Sequence, residues 1–288
     1  MVTATEEDLF NGVIDLFSFF RPSIIDESMP GGGNDTNGGS NGDGSGNGTN
    51  TDGSGSSGNQ FNEILGTEED ESINGTAGAD LIMGIGGRDS IEGRGGGDRI
   101  FGEGDNDTLL GGEGNDSLLG GQQQDSILGG DGSDTLWGGR NNDSLFGEEN
   151  EDILYGNKGN DCLFGGLEDD SLLGGKEDDS LDGGEGDDTL VGDRDSDTLT
   201  GGTGEDLFAI SENTGGISPS NADIITDYNS EEDDQIGLIN GLERSDIEFE
   251  TTVVGGENGV AIRLRDDEED YLAIVLNVVE GDLDLTII

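Results

Sequence analysis

The chain lacks several residues on which common active sites depend. Its 288 residues include no His, one Cys and only 11 Lys or Arg, against 67 Asp or Glu. Without His, a Ser-His-Asp triad, a Cys-His pair and a His-based zincin motif are all excluded. The single cysteine, Cys162, permits neither an internal disulfide nor a Cys-based zinc cage.

Charge and hydropathy exclude further classes of protein. The formal net charge of −56 repels phosphate backbones, so nucleic acid is a poor partner. No apolar run reaches the roughly 18–20 residues of a transmembrane helix. Only 29% of the residues are hydrophobic and 57 are Gly, so an ordinary compact core is not expected and disorder would be the default interpretation. What this composition attracts is hard cations.

Residues 1–25 are predicted to contain a short amphipathic helix. Thr5 and Asp8 resemble a capping box, and Pro22 closes the segment. The first basic residue, Arg21, follows the apolar stretch, which is not the order of a secretory signal peptide. Three roles stay open: covering an apolar end of the fold, contacting a partner or membrane surface, or a disordered tail. The apolar residues are Leu9, Phe10, Val13, Ile14, Leu16, Phe17, Phe19 and Phe20.

Residues 26–60 are predicted to be a flexible linker. Between Gly31 and Gln60 almost every residue is Gly, Asn, Ser, Thr or Asp, and none is apolar. The Asp and Asn residues follow no regular spacing, so we do not interpret the segment as a metal-binding loop.

Residues 61–209 contain an uninterrupted nonapeptide repeat. From Gly66 to Ala209 the chain divides into sixteen nonapeptides, with Gly at position 1 and Ile, Leu or Phe at position 8 in all of them. A degenerate half-repeat around Ile64 precedes the first nonapeptide. Position 6 is Glu71 in the first nonapeptide and Asp in the other fifteen: Asp80, Asp89, Asp98, Asp107, Asp116, Asp125, Asp134, Asp143, Asp152, Asp161, Asp170, Asp179, Asp188, Asp197 and Asp206.

The period predicts a solenoid with a column of carboxylates. Positions 7–9 are expected to form a short strand whose position-8 side chain faces an interior, and Gly at positions 1, 2 and 4 is expected to supply turns with φ > 0. Two nonapeptides then make one flattened coil of 18 residues, and successive coils stack at about 4.8 Å. Stacking places the position-6 Asp residues at that same spacing, where they repel one another without a counter-ion. Calcium suits such a column because it accepts six to eight oxygens, including backbone carbonyls, in irregular geometry.

The nonapeptides resemble the haemolysin-type calcium-binding (RTX) repeat, GGxGxDx(L/I)x. The nearest matches are GGEGNDSLL at 111–119, GGDGSDTLW at 129–137 and GGEGDDTLV at 183–191. The resemblance implies an all-β fold, a right-handed parallel β-roll of about eight coils. It also implies several calcium ions between successive turns of one edge, held by carbonyls and by the position-6 carboxylates.

Residues 210–288 are predicted to form a β cap on the roll. Segments 223–228, 233–239, 246–254, 259–265 and 271–279 are rich in β-branched residues and separated by turns. They resemble the C-terminal flank of secreted RTX proteins, which implies that Asp223 and Asp227 join the last calcium sites. The tail from Asp282 to Ile288 resembles a type I secretion signal and also fits a last core strand, and the two interpretations are compatible.

Three functions compete at this stage. The first is a secreted or cell-surface protein, not an enzyme, that folds on extracellular calcium and has a structural or adhesive role. The second is a membrane-active, toxin-like protein, for which only residues 9–20 could act on a lipid surface. The third is an enzyme with an RTX tail, which is disfavoured because residues 1–65 contain neither His nor a GxSxG motif.

Two surface patterns add hypotheses of their own. Position 9 is apolar nine times in succession and predicts one stripe on each sheet, suited to self-association or to a cell-surface partner: Phe101, Leu119, Trp137, Tyr155 and Leu173 on one, and Leu110, Leu128, Phe146 and Phe164 on the other. The two edges of the roll also differ. The first edge comprises the turns that start at Gly75 and every 18 residues to Gly201, and the second comprises those from Gly66 to Gly192. Four basic residues at position 3 of the second edge predict weaker calcium occupancy there: Arg140, Lys158, Lys176 and Arg194.

Overall fold

The computed structural model describes residues 61–211, 221–265 and 271–287. The predicted helix within residues 1–25 and the linker at 26–60 lie outside the described residues.

The repeat folds into short strands, one for each nonapeptide. Most strands contain six residues, positions 7–9 and then positions 1–3 of the next nonapeptide, so the expected three-residue strand is too short. The chain stays extended through position 1, where no Gly has a positive φ, and the positive φ values fall at positions 2 and 4. The strands are β1 (Asn62–Leu65), β2 (Ser72–Asn74), β3 (Asp80–Met83), β4 (Ser90–Gly95), β5 (Arg99–Glu103), β6 (Thr108–Glu113), β7 (Ser117–Gln122), β8 (Ser126–Asp131), β9 (Thr135–Arg140), β10 (Ser144–Glu149), β11 (Ile153–Lys158), β12 (Cys162–Leu167), β13 (Ser171–Lys176), β14 (Ser180–Glu185), β15 (Thr189–Asp193), β16 (Thr198–Thr203) and β17 (Leu207–Ile210).

Alternate strands form two parallel sheets. Odd-numbered strands pair only with odd-numbered ones and even-numbered only with even-numbered ones along the repeat. Ser144 pairs with Cys162 and Leu154 pairs with Leu172, a register of 18 residues in each sheet. The predicted solenoid, with two nonapeptides in each coil, is therefore confirmed.

The interior of the roll is a ladder of position-8 side chains. Every one from Ile82 to Phe208 is buried, with at most 1% of its surface exposed. Each such side chain faces its neighbours one coil above and below, because strands in register place like residues beside each other. A chain with 29% hydrophobic residues can build this core because the repeat directs one apolar residue in nine to the same line.

The C-terminal strands continue both sheets and close the roll. They are β18 (Asp223–Ile225), β19 (Gln235–Leu238), β20 (Ile247–Val254), β21 (Glu257–Leu264), β22 (Tyr271–Leu276) and β23 (Leu285–Ile287), with a 3-10 turn at Glu280–Asp282. The even sheet ends in the order β18-β22-β21-β20, whose last two pairings are antiparallel, and the odd sheet ends in β17-β19-β23.

The cap shields the open end of the roll in two ways. Its outermost strand, β20, carries Glu248 and Glu250, which pair with Arg263 at 2.8 and 3.5 Å and discourage edge-to-edge association. Tyr228 ties the chain end to the cap, since its hydroxyl accepts the Asp284 N–H at 2.8 Å. The tail therefore forms a last strand, β23, as one of the two compatible interpretations of the sequence predicted.

Candidate metal centre

The position-6 aspartates form two buried columns, one on each edge. The first-edge column precedes the odd strands and runs from Asp80 to Asp206, and the second-edge column precedes the even strands and runs from Asp89 to Asp197. Each of these fifteen residues is buried, with at most 4% of its surface exposed. Carboxylates are almost never buried in this way unless they are paired or bind a metal.

One oxygen of each carboxylate is held by the preceding coil, through a backbone N–H in every case except Asp80, whose Oδ1 accepts the side-chain N–H of Asn62 at 2.8 Å. The Asp116 N–H donates to Asp134 Oδ1 at 2.8 Å, and the Asp134 N–H donates to Asp152 Oδ1 at 2.7 Å. The same bond joins Asp125 to Asp143 at 2.8 Å in the second column. These bonds fix the orientation of every carboxylate and therefore the direction of its other oxygen.

That other oxygen has no hydrogen-bond partner through most of both columns. It lies beneath the first Gly of its own turn: a Cβ added to Gly156 would stand 2.6 Å from Asp161 Oδ2 and 2.6 Å from the carbonyl oxygen of Gly174. Oxygens of a carboxylate and of backbone carbonyls thus share one small space. The Oδ2 atoms that are buried without a partner belong to Asp89, Asp98, Asp107, Asp116, Asp125, Asp134, Asp143, Asp152, Asp161, Asp170, Asp179, Asp188, Asp197 and Asp223.

Burial changes the acidity of these groups. It raises the pKa of Asp179 to about 9 and that of Asp143 to about 8, with a further rise from the carboxylates one coil away and a partial offset from the backbone N–H donor. The pKa of Asp125 rises to about 7 for the same reasons, and that of Asp134 to about 6 through burial. Close to neutral pH, each column therefore requires bound protons or bound cations.

The sequence-predicted residues of the cap separate into two kinds. Asp223 extends the second column: it is buried, and its Oδ1 accepts the Asp197 N–H at 3.1 Å. Asp227 is not a link in either column, because its two oxygens accept the N–H groups of Gly201 and Gly202 at 3.0 and 2.9 Å rather than that of a position-6 Asp.

One column residue escaped the sequence analysis. Asp234 extends the first column, since its Oδ1 accepts the Asp206 N–H at 3.0 Å. It follows Asp206 by 28 residues rather than 18, so the period does not reveal it. The only signal is its place directly before a strand, β19, since the position-6 Asp residues lie directly before their strands or, for Asp80, at the first residue of the strand.

The columns supply one carboxylate for each turn rather than a preformed cage. Within residues 61–211, 221–265 and 271–287, no group of three or more His, Cys, Asp or Glu side chains converges in a way that could hold a metal ion. The remaining ligands would be backbone carbonyls, which calcium accepts readily. The buried, unpartnered oxygens fit such an ion.

Comparison with known proteins identifies the family. The RTX calcium-binding nonapeptide repeat, taken four copies at a time, matches residues 65–100, 83–118, 92–127, 128–163, 137–172, 164–199 and 173–208. These matches run without a gap from 65 to 208, half of the chain. The protein belongs to the RTX calcium-binding repeat family.

Comparisons with curated proteins and solved structures add little to the family assignment. No curated protein matches the chain significantly. Among solved structures, the chain is similar to the AlgE6R3 subunit of the Azotobacter vinelandii mannuronan C5-epimerase, at 20% identity over 52% of this chain and 78% of that one, with a TM-score of 0.30. Over the described residues, no helix has the length and apolar character needed to cross a membrane.

Proposed function

We propose that this protein binds several calcium ions along the two edges of the roll and folds when they bind. The observation that carries the proposal is the set of buried Asp Oδ2 atoms without a partner. An unpaired buried charge is costly, so a fold that repeats it in successive coils requires bound cations, or protons at lower pH, as part of its interior.

The residues that would hold calcium are the position-6 aspartates, Asp223 and Asp234, together with backbone carbonyls of the turns. When bound, the ion supplies the positive charge that lets neighbouring carboxylates ionise close together. The backbone N–H bond to each Oδ1 orients the carboxylate, and the Gly at position 1 leaves space for Oδ2. Magnesium suits these turns poorly because it demands a tight octahedron and keeps its water ligands.

The proposed role is structural or adhesive and extracellular rather than catalytic. Extracellular calcium modules bind with a Kd of roughly 10⁻⁴–10⁻³ M, so the chain would stay unfolded at low cytosolic calcium and fold outside the cell. The absence of His from the sequence removes most acid–base and nucleophilic sites. Calcium-dependent folding outside the cell and a non-catalytic role both agree with a secreted protein that is exported unfolded, with its tail as the signal.

Circular dichroism with EDTA, magnesium and calcium tests the proposal. We expect little β signal at neutral pH in EDTA or in millimolar magnesium, and a cooperative gain of β signal on addition of millimolar calcium. A β spectrum that is the same in EDTA and in calcium would refute calcium-dependent folding. Incubation of the folded protein with intact cells, followed by identification of what it binds, tests the adhesive role.

A further inference from the structure

The outer turn residues of the two edges differ sharply in charge. Positions 3–5 of the six first-edge turns that start between Gly111 and Gly201 hold nine acidic residues and no basic one. The same positions in the six second-edge turns that start between Gly102 and Gly192 hold four acidic and four basic residues. The buried columns inside are alike, so the charge difference lies in the shell of residues around them.

The basic residues of the second edge stand in a continuous row. Arg140 pairs with Lys158 across β9 and β11, and Lys158 pairs with Lys176 across β11 and β13. Arg194 continues the row beside Gly175, whose carbonyl accepts its N–H at 3.0 Å. Positive charges at the spacing of strands repel an approaching divalent cation from several successive turns.

The first edge carries an acidic row at the corresponding positions. Glu113 pairs with Asp131 across β6 and β8, and Asp131 pairs with Glu149 across β8 and β10. A row of this sign concentrates cations at the mouth of each turn. The acidic row thus favours and the basic row disfavours calcium binding, each at its own edge.

Position 4 adds a difference in backbone conformation. On the first edge Gly96, Gly114, Gly132, Gly186 and Gly204 have φ between 113° and 144°. On the second edge Asp105, Gln123, Asn141, Glu177 and Asp195 have φ between 69° and 77°. Values above 100° are practically confined to Gly, so the peptide planes around position 4 are set differently on these turns. Asn150 and Glu168 on the first edge, with φ of 75° and 74°, and Gly159 on the second, with φ of 128°, are exceptions. Because these planes carry carbonyl oxygens, the ligand sets differ too.

We propose that calcium binds preferentially along the first edge, and that on the second edge between residues 120 and 197 the basic row of Arg140, Lys158, Lys176 and Arg194 weakens calcium binding. This inference rests on the proposed calcium function and makes it specific to this chain. At a given calcium concentration the first edge would therefore be more fully occupied by calcium than the second.

Asp134 and Asp143 provide a matched pair for the test. Both are 2% exposed, both accept a backbone N–H at 2.8 Å, and both have an unpartnered Oδ2. They lie in consecutive turns, Asp134 on the first edge beside Asp131 and Asp143 on the second edge beside Arg140. Asp→Asn keeps the side-chain shape and the Oδ1 acceptor while it removes the charge, so both variants are expected to fold in excess calcium.

Calcium affinity and the number of bound ions are measured for D134N, D143N and the unchanged protein by isothermal titration calorimetry, and folding is followed by circular dichroism. Ligand charge tunes the Kd of calcium sites, so we expect D134N to weaken binding at the affected site about tenfold and D143N to weaken it clearly less, by about threefold or under. Equal effects of the two substitutions would overturn the inference while leaving calcium binding intact. If calcium neither binds nor changes the spectrum of the unchanged protein, the proposed function itself is wrong.

A gain-of-function variant gives a second, independent readout. The double substitution R140D/N141G converts the second-edge turn GGRNND at 138–143 into GGDGND, which has the acid and the Gly of the first-edge turn at 129–134. We expect it to bind at least one more calcium ion than the unchanged protein. The control R140Q removes the charge but not the non-Gly residue and is expected to give a smaller gain. An unchanged ion count in R140D/N141G would contradict the inference.

Discussion

At the residue scale, the Gly at repeat position 1 serves a different purpose from the one its sequence suggests. It was expected to supply a turn with φ > 0, as Gly does at positions 2 and 4, yet none of the described position-1 Gly residues has a positive φ. What it supplies is space, because a side chain there would meet the Asp carboxylate of its own turn and a carbonyl of the next coil. The carboxylate and carbonyl oxygens that occupy this space are among the proposed calcium ligands.

Substitution of a position-1 Gly should therefore be strongly destabilising. In Gly156→Ala the new Cβ would lie 2.6 Å from Asp161 Oδ2, and we expect the free energy of unfolding in calcium to fall by about 2 kcal/mol or more. Gly95→Ala is the control, since its nearest neighbours would be at 3.7 Å and its φ is not positive. Urea unfolding followed by circular dichroism compares the two. Equal stability losses would show that space at position 1 is not the constraint.

At the element scale, the columns link the strands to one another through carboxylates rather than through side-chain packing. Every position-6 N–H from Asp80 to Asp206 donates to the Asp carboxylate of the next coil in its column. The last acceptors are the carboxylates of Asp223 and Asp234 in the cap. Each column is thus one continuous titratable element. Its protonation affects all the coils that it joins.

The columns predict a pH dependence for the calcium-free protein. The folded-state pKa of Asp134 is about 6, that of Asp143 about 8 and that of Asp179 about 9, all raised mainly by burial, whereas an unfolded Asp titrates near about 3.9. The folded state therefore binds more protons than the unfolded chain in this range, and its stability must fall as pH rises. That stability is complete below about pH 4 and is lost as pH rises through 6 to 9.

In EDTA we accordingly expect more β signal at pH 5 than at pH 8. In excess calcium the signal should differ little between these pH values, because the ion replaces the protons. Titration calorimetry in two buffers of different ionisation enthalpy should show proton release when calcium binds at pH 7. A β signal in EDTA that is independent of pH would contradict the proposed exchange of protons for calcium.

At the scale of the whole molecule, the roll carries an apolar stripe along each outer face. Trp137 and Tyr155 stack on the odd sheet with ring centroids 5.9 Å apart and planes 8° from parallel. Phe146 and Phe164 stack on the even sheet at 5.0 Å and 2°. The position-9 residues of each predicted stripe pair in register, so their assignment to opposite sheets is confirmed. Phe164 remains 38% exposed at the end of its stripe, where Asp182 follows on the next strand.

The stripes predict self-association of the calcium-folded protein. We expect sedimentation velocity in calcium to show association that increases with concentration, and Phe164→Ser to raise the dissociation constant about tenfold because it removes apolar contact area. Leu167→Ser is the matched control, since Leu167 is 43% exposed but lies at the end of its strand rather than in the stripe. A protein that is monomeric at every concentration, or equal effects of the two substitutions, would argue against a stripe-mediated interface.

The nonapeptide period alone determined most of the architecture. A spacing of nine residues, with one apolar position and a turn of about half a circle in each nonapeptide, specifies the buried ladder, the two sheets and the register of 18 residues, because two such turns close one coil. The same period placed the fifteen position-6 Asp residues in columns. The C-terminal strands were also predictable as elements from their β-branched residues.

Features outside the nonapeptide period were decided only by the tertiary structure. Beyond the repeat, the column steps are 26 residues to Asp223 and 28 residues to Asp234, so only strand pairing shows that both belong to the columns and that Asp227 does not. The extension of strands through position 1 likewise depends on how neighbouring coils pack, since their close approach makes Gly necessary there. Local sequence specifies which residues turn and which face inward, whereas contacts between residues of different coils decide which oxygens stay unpartnered and available to an ion.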